Sequence, residues 1–211
     1  VVVAMLCVPA GAYPDFFGST GLVQVPTADT AEPGVYDFGL DFADLELQDR
    51  KGWLVRVVAG ASERAELGAA FMTARNTTDA RIVSLAGKVA LRREPADPFS
   101  LAVGASFRDL SDDIFESAGL KRALRLYGVV TKDLTGALEQ EGLEQPATMV
   151  RGHLGFVYTR LYNTDDVTTV RPFAGLEFIR RGGAALALEW DASPRGDDVT
   201  SLVLRTELRR G

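Results

Sequence analysis

Among the 211 residues there is one cysteine, Cys7, and one histidine, His153. A lone thiol excludes disulfides within the chain and any cysteine-based metal site, and one imidazole cannot build a histidine metal centre. Also missing are a Gly-x-Ser-x-Gly elbow, a His-Glu-x-x-His pair and a phosphate-binding glycine loop. No nucleophile, zinc-hydrolase or nucleotide chemistry is therefore marked, and the expectation is a non-enzymatic protein with no catalytic residue, cofactor or metal. No Lys/Arg run occurs, and the net charge is −6 with a pI near 4.9, which makes nucleic acid a poor partner. Hydrophobic residues make up 46% of the chain, yet its mean hydropathy is only +0.04. That combination rules out a bundle of membrane helices and suits strands in which polar and apolar residues alternate.

The clearest such strand is Met149 to Tyr162, MVRGHLGFVYTRLY. Val150, Leu154, Phe156, Tyr158 and Tyr162 fall on one face, and Arg151, His153 and Thr159 on the other, because side chains alternate along a strand. A strand crossing a bilayer at a tilt needs about 9–11 residues, and this one is long enough. The two-faced pattern recurs over Val35–Leu47, Trp53–Ala61, Glu66–Arg75, Arg81–Arg93, Phe99–Leu110, Leu124–Leu134, Arg171–Arg181, Ala184–Ser193 and Val199–Arg210. The expected fold class is all-β: a single antiparallel up-and-down transmembrane β-barrel of about 10 strands, an even number as bacterial single-chain barrels have. The barrel would occupy residues 35–211, behind a lead-in segment at 13–34.

Residues 1–12, VVVAMLCVPAGA, are uncharged, apolar and end in small residues, as the h-region of a partial signal peptide would; a buried first strand is the alternative. With the start on the periplasmic side, loops 48–52, 76–80, 111–123, 163–170 and 194–198 face outward. Trp53, Tyr158, Tyr162 and Trp190 then form an aromatic girdle near the outer rim.

The segment Gly18-Ser19-Thr20-Gly21-Leu22-Val23-Gln24-Val25-Pro26-Thr27-Ala28, followed by Glu32-Pro33-Gly34 and a strand, resembles the opening of the YjbH-like outer-membrane β-barrel family. The motif residues are Gly21, Leu22, Pro26, Thr27 and Ala28. Arg64-Ala65-Glu66-Leu67-Gly68, Leu101-Ala102-Val103-Gly104 and Pro172-Phe173-Ala174-Gly175-Leu176-Glu177 agree with it. The resemblance implies location in the outer membrane of a Gram-negative-type bacterium and a part in exopolysaccharide or capsule production and export. Its partners would be the lipid bilayer and surface polysaccharide or the export machinery.

Strand parity assigns to the lumen Asp37, Asp41, Glu66, Glu177, Glu189, Asp191 and Glu207, beside Arg56, Lys88, Arg92, Arg108, Arg125, Arg151 and Arg205, with His153 hydrogen-bonded among them. The signs balance. Such a set is expected to pair off and fill the space, since about eight strands leave room only for side chains and about sixteen are needed for an open channel. Two strands fit less cleanly: Leu54 and Val58 share a face with Arg56, and Phe173 and Ile179 with Glu177, which points to a bulge or a misplaced register there. The lead reading is a docking or structural barrel component. The alternatives are a narrow outer-membrane pore and a soluble periplasmic lipocalin-like barrel with apolar residues inside.

Overall fold

A computed structural model of the chain describes residues 4–7, 21, 26–45, 50–75, 80–111, 122–135, 148–162, 167–180, 184–192 and 199–206. Eleven strands form one antiparallel up-and-down sheet in which each strand pairs with the next. They are β1 (Ala4–Cys7), β2 (Tyr36–Leu45), β3 (Arg50–Ser62), β4 (Ala65–Arg75), β5 (Ala80–Arg92) and β6 (Ser100–Ser111). The others are β7 (Arg122–Asp133), β8 (Thr148–Tyr162), β9 (Val167–Arg180), β10 (Ala184–Asp191) and β11 (Val199–Thr206). β3 through β9 run 11–15 residues, enough to cross a bilayer at a tilt, whereas β10 and β11 have 8 each. No helix among the described residues is long and apolar enough to cross a membrane, which says nothing of crossing by strands.

The sheet curls. β1 and β11, its two ends, come within 8 Å Cα to Cα at their nearest points, and no ladder joins them among the described residues. The leader-like stretch contributes Ala4–Cys7 as an edge strand on β2, with Leu6 opposite Leu40.

Three boundaries differ from the sequence expectation. Val167–Val170, placed in the loop 163–170, is the start of β9, where Leu161 pairs with Val167 and Thr159 with Thr169. Two valines and two threonines are good strand formers once a neighbouring ladder is present. Likewise Arg50–Gly52 is part of β3, paired with Ala43–Leu45, and the Ser111–Ala123 connection shortens because Ser111 ends β6 and Arg122 opens β7. No bulge is needed to reconcile Leu54, Val58 and Arg56, or Phe173 and Glu177, because all five are buried on the inner face together. The expected register conflict was a mixed inner face. The irregularities that do occur lie at Gly60/Ser62 and Ala90/Arg92, near strand ends.

The outer face is apolar from β2 to β10. Tyr36, Leu67, Leu85, Leu154, Phe156 and Val170 are each at least 60% exposed, and every strand between contributes further large apolar residues. By contrast, the buried apolar side chains larger than alanine among the described residues are few: Pro26, Leu54, Val58, Tyr127, Val129, Val157 and Phe173. Large inner residues are matched to glycine on the adjoining strand. Tyr127 sits opposite Gly104 and Phe173 opposite Gly155, and a Cβ at either glycine would come within 2.4 Å of the facing ring. Alternation of small and large residues is how a narrow curled sheet fills its taper.

Candidate functional site

The concave side of the sheet holds a stretch of backbone. Pro26 to Ala31 leaves no room for water at Thr27, Ala28 or Ala31, which are 5%, 1% and 0% exposed. Pro26 lacks an amide donor and stays outside the ladders, pairing only in an isolated bridge with Gly21. The segment returns to the sheet through Pro33-Gly34, where Gly34 takes the left-handed φ of 76° that the turn requires. Gly34 N–H then donates to Gly60 O, and Gly60 N–H to Val35 O, both at 3.0 Å. The approach is close enough that a Cβ at Gly60 would lie 2.0 Å from the carbonyl oxygen of Glu32, so β3 carries glycine there.

A buried backbone must find partners for its N–H and C=O groups, and here the inner-face side chains supply them. Ala28 N–H donates to Thr131 Oγ1 at 2.9 Å, and the same hydroxyl lies 2.9 Å from His153 Nδ1. Ala31 N–H donates to Glu66 Oε2 at 2.9 Å, while Lys88 Nζ donates to the Thr27 carbonyl at 3.1 Å. Lys88 and Glu66 also form an ion pair at 3.1 Å with side chains 0% and 1% exposed. Neither charge is stable alone at such depth, so the pair with its two backbone contacts forms one unit. Arg151 Nη2 donates to Asp29 Oδ1 at 2.7 Å, and Arg93 donates to the Thr30 hydroxyl.

The segment's own side chains fit small slots. Ala28 belongs to a buried cluster with Ala102, Tyr127, Val129, Val157, Phe173 and Ala187, and Ala31 packs with Val58. Burial alone would push the Asp29 carboxyl up, but the Arg151 charge and hydrogen bond, helped by Lys88, outweigh it and hold the group below its ordinary value of 3.8.

Most of the expected lumen residues are where parity put them. Asp37, Arg56, Glu66, Lys88, Arg125, His153, Glu177, Glu189 and Asp191 are buried on the concave face, and Arg108 and Arg151 are half-buried there. Arg92 is the exception. It lies past the Ala90/Arg92 irregularity, is exposed, and stacks over the Phe99 ring at 5.5 Å. Asp41 and Arg205 lie on β2 and β11 with side chains that are not described, and Glu207 lies outside the described residues.

Ion pairs join several of these inner-face residues. Besides Glu66–Lys88, Glu177 lies 3.7 Å from Arg151 and 3.8 Å from His153, and Asp191 pairs with Arg171 at 3.3 Å. The lead-in segment, expected as a stretch ahead of the barrel, packs among them on the concave face. Asp29, Thr30, Ala31, Arg93 and Arg171 were missed as members of the site. The available signal was an acid between alanines and threonines directly after the Pro26-Thr27-Ala28 motif, in a stretch with no strand pattern of its own.

The four expected girdle residues share the outer face by parity. Trp53 and Trp190 are exposed, and Tyr158 and Tyr162 are half-buried, the latter beneath the Arg160 guanidinium at 4.9 Å. They do not share one ladder row, since Trp190 aligns with Ala174 and, through it, with Leu154, four residues before Tyr158. Of the motif residues, Pro26, Thr27 and Ala28 are in the buried segment, Gly21 bridges Pro26, and Leu22 is outside the described residues. An apolar depression of about 410 Å³ lies among the outward residues Val130, Leu154, Ala174, Leu176, Leu188 and Trp190. No group of three or more His, Cys, Asp or Glu among the described residues stands where it could hold a metal ion. No family model matches the chain, and neither a curated protein nor a solved structure matches it.

Proposed function

We propose that the curled sheet closes into a non-enzymatic β-barrel in the outer membrane of a Gram-negative-type bacterium, and that its bore is stopped by its own lead-in segment. The observation that carries this reading is the division of faces on the same strands: large apolar residues outside, and buried Arg56, Glu66, Lys88, Arg125, Glu177 and Glu189 inside. Exposed apolar patches beyond about 300–600 Å² mark an interaction surface, and one running around nine successive strands suits lipid. A lipocalin-like barrel would need the opposite arrangement.

A stopped bore fits a docking or structural component better than a standing conduit. Together with the resemblance of the lead-in and first strand to YjbH-like barrels, it supports a role beside surface-polysaccharide production or export. A narrow pore is the second reading, and one observation favours it. The filling is a length of chain, so a space wide enough for an extended chain would be left if the segment withdrew.

Planar-bilayer recording separates the two. A closed wild type supports the docking reading, and a stable large conductance from the wild type would replace it with the pore. Deleting the gene should alter secreted or capsular polysaccharide, and an unchanged polysaccharide profile would remove that role.

A further inference from the structure

The segment Pro26 to Ala31 is held as a ligand is held. None of its residues belongs to the ladders that join β1 through β11, so the sheet's own hydrogen bonds do not depend on it. Its main chain is recognised by side chains from three strands: Glu66 on β4, Lys88 on β5 and Thr131 on β7. Its one charge meets Arg151 on β8.

We propose that the concave interior is a binding site for an acidic peptide segment, and that Pro26 to Ala31 occupies it in cis as a separable ligand. The pattern it reads is a small residue, an acid one position later and a second small residue two positions after that, as in Ala28, Asp29 and Ala31. The small positions are set by volume, because Ala28 and Ala31 are buried against Tyr127, Val129 and Phe173 on one side and Val58 on the other. The acid is set by charge. Arg151 reaches Asp29 at 2.7 Å while Glu177, 3.7 Å away on its other side, orients it. Main-chain recognition fixes the path of the chain but no particular residue, which is how grooves that accept peptides divide affinity from specificity. The Pro33-Gly34 turn is the tether about which the segment leaves and returns.

The test uses the full chain folded in detergent, with residues 26–32 replaced by a Gly/Ser linker of equal length. A fluorescent peptide of sequence QVPTADTAEPGV, residues 24–35, is titrated onto it. Saturable binding is expected, with about tenfold weaker affinity for the peptide carrying Asp29→Asn and for the linker protein carrying Arg151→Gln, the usual size for loss of a charge-assisted hydrogen bond. Unaltered protein should bind little, because its site is filled. No saturable binding to a folded linker protein overturns the proposal, as does equal affinity for a scrambled peptide. Should the linker protein not fold, Ala31→Trp expels the segment without removing it and takes the same titration; failure of both to fold would show that the segment is not separable.

Discussion

The two faces of β8 differ as sharply as two different proteins, although they alternate residue by residue. On the outside, Leu154 and Phe156 are each 60% exposed. On the inside, His153 and Val157 are 3% and 0% exposed, and Arg151 holds the Asp29 carboxylate. The outer face is made of side chains that no other part of the described chain covers. The inner face is made of charges that are buried or half-buried, kept stable by one another and by the backbone of a distant segment. A soluble sheet has the reverse need, and the contrast is what the proposed barrel, with lipid outside and a filled polar interior, requires.

The contrast can be broken most forcefully on the inside. Lys88→Met leaves Glu66 buried and without its ion-pair partner, and should cost about 3–5 kcal/mol in denaturant unfolding of the lipid-reconstituted protein. Adding Glu66→Leu should restore much of that loss, because replacing both partners removes the uncompensated charge even though Ala31 N–H loses its acceptor. On the outside, Leu154→Arg should cost about 2–4 kcal/mol in bilayers if it sits near the midplane, and clearly less in a soluble environment. A cost that is the same in both would collapse the distinction between the faces.

Two smaller effects sharpen the comparison. Thr131→Val removes the acceptor for Ala28 N–H and the partner of His153 Nδ1, for an expected loss of about 1–3 kcal/mol. Asp29→Asn should cost about 1–2 kcal/mol near neutral pH. Because the folded carboxyl is held below 3.8, the stabilisation from Asp29 is complete above that value and disappears as the pH falls through the lower folded one. Urea midpoints for the wild type and the Asn variant should therefore stay apart from pH 7 down to about 3.8 and draw together as the pH falls below that value. Midpoints that stay equally far apart would contradict the pairing.

The strands were legible because period-2 alternation reports burial on either side of a pleat, and it assigned Asp37, Arg56, Lys88, Arg125, His153, Glu189 and Asp191 to the correct face without any knowledge of pairing. Parity fails where the ladder slips, and Arg92 was misplaced for that reason. Loop boundaries were less legible, since Val167–Val170 carries strand-forming residues whose neighbours on β8 become visible only in three dimensions. The site was half visible. Inner-face charges announce themselves, but the segment that meets them has no periodicity, and nothing local tells Ala28 and Ala31 that their partners lie on strands as far along the chain as β9 and β10. The aromatic residues shared a face as expected, although they did not line up in one row.

The most direct measurement is a single-cysteine scan of β8 at His153, Leu154, Phe156, Val157 and Tyr158 in a Cys7→Ser background. Each position carries a small environment-sensitive fluorophore, and the protein is reconstituted into vesicles containing nitroxide-labelled lipid. Leu154, Phe156 and Tyr158 should be strongly quenched by the lipid label, while His153 and Val157 should be protected from both the lipid label and a water-soluble quencher. Equal quenching at odd and even positions, or quenching at all five by the aqueous reagent alone, would contradict a barrel with lipid outside and a filled interior.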